Sequence, residues 1–466
     1  MKSELRAGST ARTLVVLVLI GFLTPLTRPA LAQSEEAEKA QQKHVGESKD
    51  KAQQSHDPTN EIDEQIGAVG NQPGTPSAPG QPSDSPQQSK AEPKQSVEIY
   101  GFAMLDAIYD VNSNDPNWFD TNRPVKLPSF PGQFGRDGNT YFSVRQTRFG
   151  VKGSQPTAWG VLKVQFEFDM FGVGVDAGQT TIRPRHYWGE VGAFGAGQTN
   201  SVFMDIDVFP NTLEYWGPNG MIFFRNPQIR WMPIRGDTHL WIALERPGAS
   251  ADGGIIADRI ELQNVRGRFQ FPDLSAQYRQ AFTRGYIQVA GIVRSIKIDH
   301  LPTAALNLDQ SIVAWGTTLS SNLKFKKDVL RLQYVYGHGV ENYMNDAPVD
   351  VAPEPNFGNP LKPVKGKALP MWSFVTYLDH SWTERWTTSI GYSQLIIQNT
   401  SLQNRSDFHK GQYGSANLLC AAFDHFMVGG EFLWGRRTNF ADGFRVNDYR
   451  VQFSFKYNFD KTFEGK

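Results

Sequence analysis

Six arginines and three acids are the residues best placed to do chemistry. Arg183 and Arg185 alternate with Ile182 and Pro184, Arg148 precedes Phe149 and Val151, and Arg230 lies between Ile229 and Trp231. Arg225 stands just before that last stretch, and Arg279 follows Tyr278. In an extended chain alternate side chains share a face. The arginines therefore fall opposite their apolar neighbours, with Tyr187 on their face and Trp188 on the other. Arg145 joins them only if the alternation breaks between Val144 and Phe149. A guanidinium keeps its charge and offers paired donors to a carboxylate, so a row of them would attract and guide anions. The same arginines could instead pair with Glu167, Asp169 and Glu190 and stiffen a wall. Asp205, Asp207 and Glu214 lie in one long connection and would supply acceptors opposite the row. A field between the two would orient dipolar solutes. Asp205 and Asp207 alone are too few oxygen ligands for a calcium site.

Other chemistry finds little support. The nine histidines are scattered without an H-x-x-x-H pair or a His/Cys cluster, so no metal site is expected. There is no G-x-S-x-G elbow. Gly172-Val173-Gly174 has no lysine behind it to complete a phosphate loop. Asp379, His380 and Ser381 are adjacent but sit at an expected tight turn. The sequence thus predicts no cofactor and no enzyme.

The elements that must position these residues read as strands. Leu162, Val164, Phe166 and Phe168 alternate with Lys163, Gln165, Glu167 and Asp169; Val451, Phe453, Phe455, Tyr457 and Phe459 alternate with Gln452, Ser454, Lys456 and Asn458. Period two gives a sheet one apolar and one polar face. About sixteen such segments run from 97–111 and 141–153 to 448–459. Tight turns, the first at Ser154–Thr157, alternate with long connections, the third at 202–225. That rhythm predicts an all-β, antiparallel, up-and-down transmembrane barrel. It crosses lipid without a spanning helix, since a closed barrel satisfies its own backbone. Tyr100, Trp188, Phe194, Trp231, Trp241, Trp315, Trp372, Trp382, Trp386 and Trp434 fall near strand ends, where interfacial girdles belong. A soluble sandwich would not need every second connection to be short.

The chain start differs. Lys2, Arg6 and Arg12 precede an apolar run, Leu14 to Leu23, and an Ala30-Leu31-Ala32 cleavage pattern, which together predict a signal peptide over 1–32. Its removal leaves 43 basic and 46 acidic residues, a balance that does not suggest a nucleic-acid partner. Residues 33–96 hold no aromatic before Tyr100 and are rich in Gln, Ser and Pro, as expected of a periplasmic low-complexity or partly helical tail. The barrel is expected over 97–466. The lone Cys420 excludes an internal disulfide.

Arg148-Phe149-Gly150-Val151-Lys152-Gly153 resembles the second-strand signature of Gram-negative general porins, and Val97-Glu98-Ile99-Tyr100-Gly101 resembles their first strand. The tail, together with Phe203-Met204-Asp205 and Gly217-Pro218-Asn219-Gly220, resembles the DcaP-like porin family. Lys461 to Lys466 follow the apolar terminal strand, a departure from the usual ending. The resemblance implies a homotrimer of sixteen-stranded barrels in the outer membrane, each narrowed by an inward third loop at 202–225. It also implies passive diffusion of small hydrophilic solutes, with dicarboxylates favoured. Two other readings stay open: a barrel enzyme with a packed interior, and a structural anchor whose tail contacts peptidoglycan.

Overall fold

The computed structural model describes residues 95–465; the expected signal peptide and nearly all of the expected tail lie outside them. Alternating apolar and polar side chains build sixteen antiparallel staves. They are β1 (Ser96–Asp110), β2 (Arg148–Thr157), β3 (Gly160–Phe171), β4 (Thr180–Val191), β5 (Phe194–Asn200), β6 (Arg225–Ile234), β7 (His239–Glu245) and β8 (Asp273–Phe282). The second half holds β9 (Gly285–His300), β10 (Gln310–Phe325), β11 (Asp328–His338), β12 (Pro370–Ser381), β13 (Trp386–Ile397), β14 (Phe408–Phe423), β15 (Phe426–Asn439) and β16 (Arg445–Glu464). Each pairs with the next, and β16 pairs with β1 from Ser96↔Glu464 to Asp110↔Arg450. The sheet therefore closes and leaves no open edge. Seven tight turns line one rim and eight longer loops the other.

One face of the sheet is apolar and exposed, as with Phe166, Ile182, Ile229, Val313 and Phe453. The other face points into the barrel and carries the polar side chains. Three details depart from the pattern in the sequence. The second stave is broken: Asn139–Ser143 pairs with the end of β1, residues 144–147 leave the sheet, and β2 resumes at Arg148. This is the parity break that Arg145 requires, and Arg145 is buried beside exposed Val144. The first tight turn is at Ala158-Trp159, not Ser154–Thr157, because Ser154 to Thr157 stay paired with Lys163 to Gly160. The terminal strand does not stop at Phe459, since Asp460 to Glu464 continue the pairing with β1.

The expected aromatic girdle is also only partly a girdle. Phe194, Trp231, Trp382 and Trp386 are exposed on the outer face. Tyr100 instead donates to Glu167 inside the barrel at 2.8 Å, and Trp188 and Trp241 lie under the Arg230 guanidinium at 5.0 and 4.8 Å. Their ends of the strands face the lumen, where a ring can stack on a cation.

Candidate pore constriction

The third long loop, residues 201–224, folds into the barrel and is almost wholly buried. Phe203, Met204, Phe209, Ile222 and Phe223 belong to a cluster with inward residues such as Ala290, Ile292, Val335, Val375, Tyr377, Leu395 and Leu433. The inner wall from β9 to β15 is therefore apolar where the loop covers it. Polar contacts fix the loop's course around that wall. Asn417 in β14 donates to the Asn211 carbonyl at 2.7 Å, and Glu431 in β15 accepts from the Leu213 and Glu214 backbone N–H at 2.5 and 2.9 Å. The loop then returns, with the Gly220 N–H on Ser393 Oγ at 2.8 Å and the Ile222 N–H on Gln333 at 2.9 Å. These bonds satisfy backbone groups that would otherwise be buried and orphaned.

The opposite wall, β2 to β4, is charged. Arg183 donates to Asp169 through Nε at 3.1 Å and Nη2 at 2.8 Å. Arg185 bridges both acids, at 2.6 Å to Glu167 and 2.8 Å to Asp169. Arg148 lies 3.7 Å from Glu167, and its Nε and Nη2 are buried without a hydrogen-bond partner among the described residues. Arg225 is buried at the start of β6 over Phe223, close enough to Arg148, Arg185 and Glu167 to share their field. Four guanidiniums thus face two carboxylates. Lys456, buried over the Phe102 ring at 4.1 Å, stands beside Arg148. The alternation of Lys456 with Phe455 and Tyr457 already marked it as inward, and the sequence reading passed over it.

A bulge explains how Arg185 reaches both acids. Glu167 pairs with His186 and Phe168 with Pro184, so Arg185 is an extra residue with no partner of its own. The extra residue shifts the alternation. Arg185 and His186 are both buried, Tyr187 is outside beside Phe166, and Trp188 is inside. This reverses the expected faces of Tyr187 and Trp188, which strict period two had set.

The other marked residues are not part of this cluster. Arg279 in β8 binds Asp205 at 2.7 Å and Asp207 at 2.5 Å. Asp205 also accepts from Tyr286 at 2.9 Å and Ser320 at 2.6 Å. Arg230 binds Gln228 and the Asn200 carbonyl. Glu214 accepts from the backbone of Asn122 at 3.1 Å and Gly217 at 2.5 Å and from the Tyr413 hydroxyl at 3.2 Å. Asp205, Asp207 and Glu214 thus fasten the loop and do not oppose the arginines across open space. The loop group that meets the charged wall is Tyr215, stacked on Phe171 at 4.1 Å. Its hydroxyl donates to Asp169 at 2.5 Å and accepts from Arg183 and from Arg185 at 2.9 Å. Nothing in the spacing of Tyr215 marked it. Among the described residues no cluster of three His, Cys, Asp or Glu side chains could hold a metal ion.

The DcaP outer membrane protein family matches residues 80–459. The chain belongs to that family. Its barrel is the fold of an outer-membrane channel of Gram-negative bacteria. The outer membrane channel DcaP of Acinetobacter baumannii is similar in structure, with a TM-score of 0.64 at 20% identity, covering 80% of this chain and 99% of that one. The anion-selective porin of Comamonas acidovorans superposes with a TM-score of 0.50 at 9% identity, over 78% of this chain and 100% of that one. No curated protein sequence matches. As a DcaP-family barrel, the chain presents its tight turns to the periplasm and its long loops to the outside.

Proposed function

We propose that this DcaP-family channel passes small hydrophilic solutes by passive diffusion and favours anions, dicarboxylates among them. The observation that carries this reading is the surplus of cations on the β2–β6 wall: Arg148, Arg183, Arg185 and Arg225 against Glu167 and Asp169. The ion pairs hold the guanidiniums in place, while the uncompensated charge sets the sign of the local potential. In a narrow, partly desolvated passage such a surplus attracts anions much more strongly than in bulk water. Arg148, whose buried Nε and Nη2 have no hydrogen-bond acceptor among the described residues, adds positive charge that no hydrogen-bonded carboxylate offsets. No reaction is catalysed, and the solute gradient drives flux. The double variant Arg148→Ala, Arg183→Ala tests this in planar bilayers. Its reversal potential in a salt gradient moves toward cation preference, and an unchanged reversal potential refutes the assignment. Competition of succinate with chloride current tests the dicarboxylate preference separately. The family resemblance implies that the working unit is a homotrimer, and the residues of the chain start imply a signal peptide cleaved after Ala32 and a periplasmic tail over 33–96. Native mass in detergent and the mature N-terminus check those points.

A further inference from the structure

The outer face of the barrel carries cations that the pore does not use. Two inward arginines fix which way their neighbours point. Arg437 in β15 donates to the carbonyls of Val125 and Leu127 on the loop after β1. Arg450 in β16 binds Asp110 at 2.5 Å inside the barrel. By alternation Arg436, Thr438, Arg445 and Asn447 face outward. Arg436 pairs with Gln412 in β14 and Asn447 in β16, and Thr438 pairs with Lys410 and Arg445. Directly paired residues share a face, so Lys410, Arg436 and Arg445 form one outward patch on three consecutive staves. Arg445 is exposed, and Lys410 and Arg436 are half-buried. None of the three has a hydrogen bond or ion pair among the described residues, and Arg436 Nε is shielded from water without an acceptor. The acids closest along the chain are turned elsewhere. Asp407 and Asp442 accept from the backbone of Asn404 and Phe444, and Asp448 is buried on the inner face.

The patch lies at a defined depth. All three cations stand at the stave ends that lead into the long loops, on the outer rim. One step further from that rim, on the same face, lie Trp434, stacked on Tyr392 at 6.3 Å, and Tyr449. Beyond them Phe432, Val451 and Ile390 are exposed and apolar. Cations, then amphipathic rings, then hydrocarbon side chains follow the order of head group, interface and acyl chain. The anions at head-group depth are lipid phosphates, and clustered Lys and Arg side chains beside a membrane take such groups. A guanidinium binds phosphate oxygens in pairs. We propose that Lys410, Arg436 and Arg445 form a docking site for the phosphorylated sugar head group of an outer-leaflet glycolipid, whose acyl chains run along Phe432 and Val451. A second copy of the chain fits this face less well, because it would bury three unmatched cations. The inference rests on the outer-membrane placement of the barrel and not on the selectivity of its pore.

The test is native mass spectrometry of the full chain in detergent, titrated with diphosphorylated lipid A, with the same lipid A stripped of both phosphates, or with phosphatidylglycerol. Diphosphorylated lipid A is expected to bind about tenfold more tightly than either of the others. The triple variant Lys410→Gln, Arg436→Gln, Arg445→Gln is expected to lose that advantage while its potassium chloride conductance stays unchanged, which shows that it is folded. Arg445→Gln alone, at the exposed member, is expected to weaken diphosphorylated lipid A by about threefold and serves as the test if the triple variant does not fold. Equal binding of the phosphorylated and stripped lipids, equally tight binding of phosphatidylglycerol, or undiminished lipid A binding by a folded triple variant would each overturn the proposal. So would a triple variant that loses subunit association in place of lipid, since the face would then be a contact between copies.

Discussion

Asp205 on the inward loop and Arg279 on β8 form a 2.7 Å ion pair. Removing the arginine leaves a buried carboxylate without its cation, which typically costs about 3–5 kcal/mol. Arg279→Ala is expected to release the first part of the loop from the wall and to give a noisier channel of higher conductance. Asp205→Asn, which keeps acceptor capacity for Tyr286 and Ser320, should do so less. Single-channel recording of both variants checks the order.

Tyr215 ties the same loop to the charged wall through Asp169, Arg183 and Arg185. Tyr215→Phe keeps the stack on Phe171 and loses only the hydroxyl. The expected result is a folded channel, destabilised by about 1–3 kcal/mol because buried donors lose their acceptor, with a larger anion current. Heat-modifiable gel mobility and bilayer conductance measure the two effects.

The bulge at Arg185 makes a sharp prediction about faces. In a Cys420→Ala background, Trp188→Cys should react with a charged, water-soluble thiol reagent and Tyr187→Cys should not. Deleting Arg185 restores strict alternation, and a one-residue slip turns every later side chain of the strand over. The reactivities of positions 187 and 188 should then exchange.

Burial pushes the Glu214 carboxyl up to about 7, against the lowering effect of backbone donors such as Gly217. The folded state then holds a proton that the unfolded chain releases near 4.5. Stability contributed by this group is full below pH 4.5 and is lost as pH rises through about 7. The loop should accordingly be held more firmly at pH 5 than at pH 8, seen as fewer conductance fluctuations at the lower pH. Glu214→Gln should flatten that dependence. Equal fluctuation at both pH values in the unsubstituted channel would contradict it.

Arg123, clasped between Trp118 and Trp216 at 4.1 and 4.2 Å, pairs with Asp346. Asn345 completes the junction by exchanging hydrogen bonds with Trp216. Loops from three distant points of the ring therefore meet at one place over the lumen. Asp346→Ala is expected to raise conductance without moving the reversal potential, because the charged wall below is untouched.

Much of the barrel was legible in the residues because period two is a strictly local signal. Most of the sixteen staves follow it, and Arg148, Arg183, Arg185 and Arg230 do lie on the inner face. The reading failed where local spacing carries no information. The bulge at Arg185 adds one residue without any change of composition, so Tyr187 and Trp188 were assigned to the wrong faces. Asp205, Asp207 and Glu214 were recognised as inward acids, but the partners that tie them to the rest of the barrel, Arg279, Asn122 and Tyr413, lie 70 or more residues away, and a single sequence does not encode that pairing visibly. Tyr215 was missed for the same reason. Aromatic residues at strand ends look alike whether they meet lipid or a lumenal arginine, and so Tyr100, Trp188 and Trp241 were grouped with a girdle they do not join.

The register from Ser96↔Glu464 to Asp110↔Arg450 also governs the order of assembly. The first stave synthesised finds one of its two neighbours only when the last stave arrives. Until then β1 is an unsatisfied edge, and no growing intermediate can be a finished cylinder. Closure therefore depends on the last stave, and without it β1 would stay an open edge instead of closing a smaller barrel.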